Sequence, residues 1–164
     1  MVAVVWPAVG RFGAGVAVRQ VSRWQFQLLE SLVFNDPIHG VLTVDFGFQS
    51  DLASIRMLRT VSVVGAIVAL AVGAMVPGAP WISALCWAVA LVAIVLYALL
   101  TGYGMAPAIL HDRLYEAGGL SRSECDAVFY RALHMGDGVA KWRAGIFWVG
   151  VRLGGMAHYG PGRG

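Results

Sequence analysis

The stretch VSVVGAIVALAVGAMVPGAPWISALCWAVALVAIVLYALL, running from Val61 to Leu100, decides the fold. No Lys, Arg, Asp or Glu occurs anywhere between Thr60 and Leu110. Val61 to Val76 gives sixteen uncharged residues, a little under the roughly 20 that cross a hydrocarbon core. Met57 and Leu58 extend the run, with Arg56 and Arg59 able to snorkel toward the interface. Pro77-Gly78-Ala79-Pro80 is a turn signal. Trp81 to Leu100 is a second run of twenty residues, with Trp81 and Tyr103 placed where interfacial aromatics are favoured. Residues 57–100 therefore read as a transmembrane hairpin.

Around this insert the composition is ordinary. All twelve basic and all nine acidic residues of the 164 lie outside Thr60–Leu110. They give the flanking segments the charge density of a soluble domain. The chain thus reads as one discontinuous α+β domain, 23–56 and 101–155, interrupted by the hairpin. An apolar segment, 1–22, precedes it and a glycine-rich, flexible tail, 156–164, follows. The first segment lacks a basic n-region and is broken by Pro7, Gly10, Gly13 and Gly15, so no cleavable signal is expected. The turn between the two spans has no basic residue. The positive-inside rule then puts both termini in the cytoplasm, if insertion occurs during synthesis. A net charge of +3 without a Lys/Arg run gives no support to nucleic-acid binding. Cys86 and Cys125 have no metal-ligand spacing and read as buried hydrophobes.

Trp24 to Leu28 alternates apolar and polar, as a half-buried strand does. Leu32-Val33-Phe34, the turn at Asn35-Asp36-Pro37 and Gly40 to Val44 complete a small antiparallel unit, and Asp45 to Ser54 reads as an irregular loop. After the hairpin, Pro107 suits the first turn of a helix that ends at Gly118-Gly119. Ser121 and Glu124 form a capping box ahead of the stripe Cys125, Val128, Phe129, Ala132 and Leu133. Gly136-Asp137-Gly138 ends that helix. A last helix, about Val139 to Leu153, is expected to present Trp142, Ile146, Val149 and Leu153 on one face.

The chemistry concentrates at His111-Asp112-x-x-Tyr115 and at Asp126. His111 and Tyr115 share a helix face with Ala108 and Leu114. The short Gly-Gly connection makes the next helix an antiparallel neighbour. His111 and Asp126 are expected to meet at a partly buried seam. A histidine held by a carboxylate at one ring nitrogen can take a proton from water at the other. Asp112 points about 100° away, free for a cation or a backbone amide. The competing reading is a structural hydrogen-bond cluster. His39 and His134 read as surface or turn residues, and His158 lies in the tail.

Three segments carry a resemblance: Phe48-Gln49-Ser50-Asp51-Leu52-Ala53-Ser54, Ala108-Ile109-Leu110-His111-Asp112-Arg113-Leu114-Tyr115, and Ser121-Arg122-Ser123-Glu124-Cys125-Asp126-Ala127-Val128-Phe129. With Val151-Arg152-Leu153-Gly154 they resemble a family of small phage and prophage proteins of unknown function. That family shares G-F-x-T-D-x-A-S-x-P, A-x-x-H-D-x-L-Y, S-R-x-x-A-D-x-x-F and V-R-x-x-G segments. Here Ser50 stands for the usual threonine, Ile55-Arg56 lacks the usual proline, and the hairpin replaces a short loop. The His-Asp helix is also similar to the secretory and viral phospholipase A(2) pattern. That resemblance implies His111 as general base, Tyr115 and Asp126 as its orienters, and Asp112 as a calcium ligand. Gly102 and Gly104 would supply carbonyls, and Asp51 is a substitute ligand.

Three functions follow as expectations. One is a phage-encoded, membrane-associated ester hydrolase, calcium-dependent as in phospholipases. Another is a non-enzymatic virion or tail-tip component whose hairpin enters the host membrane. The third is a holin-like lysis accessory. The expected partners are the lipid bilayer and other phage structural proteins, with a homo-oligomer left open. The expected location is the host inner membrane or the virion.

Overall fold

The computed structural model describes residues 6–76 and 78–154. Pro77 of the expected turn, Gly155 and the whole tail 156–164, with His158, lie outside the described residues. The fold is α+β, with small antiparallel sheets followed by five helices among the described residues.

The strands are β1 (Val18–Ser22), β2 (Gln25–Leu28), β3 (Leu32–Asp36), β4 (Gly40–Val44) and β5 (Gln49–Ser50). They form two sheets, β1-β2-β5 and the hairpin β3-β4. β1 falls inside the stretch read as an N-terminal apolar segment. Its residues are almost all exposed, so it pairs as a polar edge with no inward alternation to betray it. β5 falls inside the stretch read as a loop. It is only two residues long, with Phe26 opposite Ser50 and Gln27 opposite Gln49.

The β3-β4 ladder runs from Leu32↔Val44 to Asp36↔Gly40, so the reversal is Pro37-Ile38-His39 with Gly40 at φ 73°. That is a three-residue hairpin loop with glycine in the left-handed position. Asp36 ties this tip to the helices. Its buried carboxylate accepts two bonds from Arg131, at 2.7 and 2.9 Å. It also accepts from the backbone N–H groups of Ile38 and His39.

The helices are α1 (Ala53–Met75), α2 (Pro80–Leu100), α3 (Met105–Ala117), α4 (Arg122–Arg131) and α5 (Lys141–Gly154), with a π-helical turn, Ala132–Gly136, closing α4. α1 begins at Ala53, earlier than its apolar run suggests, because Arg56 and Arg59 do not interrupt helical hydrogen bonding. α4 has the complete capping box: Ser121 Oγ accepts from the Glu124 N–H and the Glu124 carboxylate accepts from the Ser121 N–H. α3 ends at Gly118 in the left-handed conformation, its N–H bonded to Leu114 O.

The chain divides into two units. One runs up to Arg56 and resumes at Tyr103; the other is Met57–Gly102. The first has its core between the sheets and α3–α5, where Leu28, Phe34, Val44, Ile109, Leu110, Val128, Phe129, Leu133 and Phe147 are buried. The four residues expected on one face of α5 do share it, and that face is the outward one. Ala144, Phe147, Gly150 and Val151 are buried, while Trp142, Val149 and Leu153 are exposed. In the second unit α1 and α2 are long and apolar enough to cross a membrane, and most of their residues are exposed. Gly73 serves their close approach: a Cβ there would lie 2.7 Å from Trp87 Nε1.

Candidate functional site

Three segments of the first unit converge on one hydrogen-bonded chain. β5 and the first turn of α1 bring Ser50 and Ser54. α3 brings His111, Asp112 and Tyr115, and α4 brings Asp126. The turn between β5 and α1 is strained, because Leu52 adopts φ 54° without being glycine. It is held by Ser50 Oγ, which accepts from Leu52 N–H at 3.0 Å, and by Asp51 Oδ1, which accepts from Ala53 N–H at 3.0 Å. This local locking aims Ser54 at α3.

Ser54 Oγ lies 2.7 Å from His111 Nδ1, and His111 Nε2 lies 3.0 Å from Asp126 Oδ1. Tyr115 donates to the same Asp126 oxygen at 2.5 Å, and Arg152 donates to the other at 3.1 Å. Ser54 Oγ is also 3.1 Å from Asp112 Oδ1, and Ser50 donates to Asp112 Oδ2 at 2.5 Å. The His111 ring packs on Tyr115, with centroids 4.0 Å apart, and on Phe129, at 4.9 Å. Relative exposures of 8% for Ser54, 2% for His111 and 0% for Asp126 make the chain nearly dry. The His111–Asp126 seam is therefore fully rather than partly buried.

The proton placement follows from the acceptors. Burial alone would raise the Asp126 carboxyl. Bonds from His111, Tyr115 and Arg152 outweigh that and hold it below the ordinary range, so it is a carboxylate. His111 Nε2 therefore carries the hydrogen it donates, and Nδ1 faces the Ser54 hydroxyl. Asp112 is pushed the other way. Burial raises its pKa, with the Asp51 charge adding to the rise, against the Ser50 and Ser54 bonds and His111. Ser54 has one hydroxyl hydrogen and two acceptors within reach, Asp112 Oδ1 at 3.1 Å and His111 Nδ1 at 2.7 Å. When it donates to the ring, Ser54 is a hydroxyl directed at a base.

The expectation that one nitrogen of His111 faces water is therefore corrected. That nitrogen faces Ser54, which the sequence reading did not single out as a chemical group. The only sequence signal for it was its place in the first resemblance segment, beside Ser50 and Asp51.

The residues do not fit a calcium site. Asp51 is engaged at both oxygens, by Ala53 N–H and by Arg56 at 2.7 Å. Asp112 is occupied by Ser50 and Ser54. The Gly104 carbonyl accepts from Ala108 N–H at 2.9 Å. Among the described residues no group of three or more His, Cys, Asp or Glu converges on a metal position.

Residues 88–151 match the model of a family described as a protein of unknown function, DUF1353. The match takes in α3 and α4, hence His111, Asp112, Tyr115 and Asp126, and leaves out Ser50, Ser54 and Arg152. No curated protein and no solved structure matches the chain.

Proposed function

We propose that this chain is a membrane-anchored serine hydrolase cleaving esters at the headgroup face of a membrane. The alignment of Ser54, His111 and Asp126 carries this reading, together with where Ser54 stands in α1. Ser54 precedes Val61, where the uncharged run begins, by seven residues, about 10 Å of helix. A chain whose α1 and α2 cross a bilayer therefore holds that hydroxyl near headgroup depth. The resemblance to phage and prophage proteins supports an envelope substrate.

In this reading Ser54 Oγ bonds to the ester carbonyl carbon while its proton passes to His111 Nδ1. The Asp126 carboxylate opposite Nε2–H stabilises the imidazolium, and Tyr115 and Arg152 hold that carboxylate. Collapse expels the alcohol, which takes the proton back from His111. Water then hydrolyses the acyl group on Ser54 through the same transfers. The ring is used with Nδ1 toward the nucleophile.

Full-length protein in phospholipid vesicles should release fatty acid, and Ser54→Ala should abolish release while thermal unfolding changes little. A second reading, a non-enzymatic membrane or virion component, draws on the burial of His111 and Asp126. It predicts no release of fatty acid by any form.

A further inference from the structure

α5 is apolar on two opposite sides. Ala144, Phe147, Gly150 and Val151 face the core. Trp142, Ile146, Val149 and Leu153 fall within an arc of about 60° on the other side. The outward stripe is solvent-facing, with relative exposures of 53% at Trp142, 48% at Val149 and 76% at Leu153. Its flanks carry Lys141 and Arg143, while Arg152 of the same helix is paired with the buried Asp126. Arg143 lies over the rings of Tyr103 and Trp142, at 4.3 and 5.1 Å from their centroids, and Arg152 lies 5.7 Å from that of Trp148.

Lys141 and Arg143 thus stand beside an exposed apolar stripe headed by Trp142. A helix with an exposed apolar face, Lys/Arg flanks and interfacial Trp suits the headgroup–acyl boundary of a bilayer rather than water.

We infer that the outward face of α5 docks on the surface of an anionic lipid bilayer, the same bilayer that α1 and α2 are proposed to span. The inference rests on that membrane reading. A protein partner for the stripe would have to bring its own acidic rim, whereas anionic lipid supplies one wherever the hairpin inserts.

The test uses the full chain with Cys86→Ala and Cys125→Ala, carrying a single environment-sensitive fluorophore at Val149→Cys, Val92→Cys or Glu116→Cys. Each is reconstituted in vesicles of phosphatidylcholine, or of equal parts phosphatidylcholine and phosphatidylglycerol, with brominated acyl chains as quencher. The Val149 probe should emit to the blue of the Glu116 probe and be quenched several-fold more. Phosphatidylglycerol should increase the quenching, and Lys141→Gln with Arg143→Gln should remove that increase. A quenched Val92 probe with a Val149 probe like that at Glu116 overturns the inference and leaves the hairpin reading intact. An unquenched Val92 probe overturns both. Shielding of Val149 that ignores brominated lipid and fades on dilution points to a second copy of the chain, and also overturns the inference.

Discussion

Asp126→Asn removes the charge on which the buried chain is organised while keeping its shape. His111 and Tyr115 both donate to Asp126 Oδ1, and Arg152 donates to Oδ2. Asparagine can offer its carbonyl to the first two, but its amide then turns hydrogens toward Arg152. Bonds to an ionised acceptor are worth about 1 kcal/mol more than neutral ones, which gives about 2 kcal/mol for the two buried donors. Arg152 is partly exposed, so its loss adds under about 1 kcal/mol. The expected cost is therefore about 2–3 kcal/mol, or roughly 30- to 150-fold in an opening equilibrium at 1.36 kcal/mol per decade. Cys125 beside it reports that equilibrium. It is completely buried, and burial pushes its thiol to about 12, so it reacts only when the domain opens. In a Cys86→Ala background, Asp126→Asn should accelerate modification of Cys125 by a thiol reagent by that factor, at constant pH. A rate within twofold of the parent would refute the view that the carboxylate organises the site.

Acid should destabilise the domain. Asp36 and Asp126 are held below the ordinary carboxylate range, because bonds from Arg131, and from His111, Tyr115 and Arg152, outweigh the opposing effect of burial. Their contribution is complete above the unfolded value of about 3.9 and is lost as pH falls through the lower folded values. Asp112 has the opposite sign. Its raised pKa gives stability that is complete below the unfolded value and withdrawn as pH rises through the folded one. Asp112→Asn should therefore flatten the loss on the alkaline side in thermal unfolding followed by circular dichroism. Arg131→Ala should cost about 3 kcal/mol in the same assay, because it strands the buried Asp36 carboxylate. A change under about 1 kcal/mol would mean that the guanidinium does not anchor the β3-β4 tip.

Helical periodicity made the His111–Asp126 seam legible, since both residues lie on short, capped, consecutive helices whose facing sides follow from sequence. It could not reach Ser54. That residue is separated from His111 by the entire apolar insert, and its direction depends on a turn at Leu52 whose left-handed φ a leucine does not advertise. The α5 period was readable but its side was not, because Phe147 and Val151 repeat with the same spacing as Trp142, Ile146, Val149 and Leu153. Only packing distinguishes a face that meets the core from one that meets lipid. β1 escaped notice for a related reason: an exposed polar edge strand carries no alternation.

In the proposed mechanism His111 activates the Ser54 hydroxyl. Covalent labelling of the full chain in vesicles by a fluorophosphonate, followed by mass spectrometry of the peptide holding Ser54, tests this. Attack forms the Ser54 oxygen–phosphorus bond, fluoride leaves, and the proton goes to His111. The account predicts phosphonylation at Ser54 that is lost in His111→Gln, with Cys125 in that variant still protected from thiol reagent. An unlabelled Ser54 in the parent, or equal labelling in the folded His111→Gln variant, would contradict it.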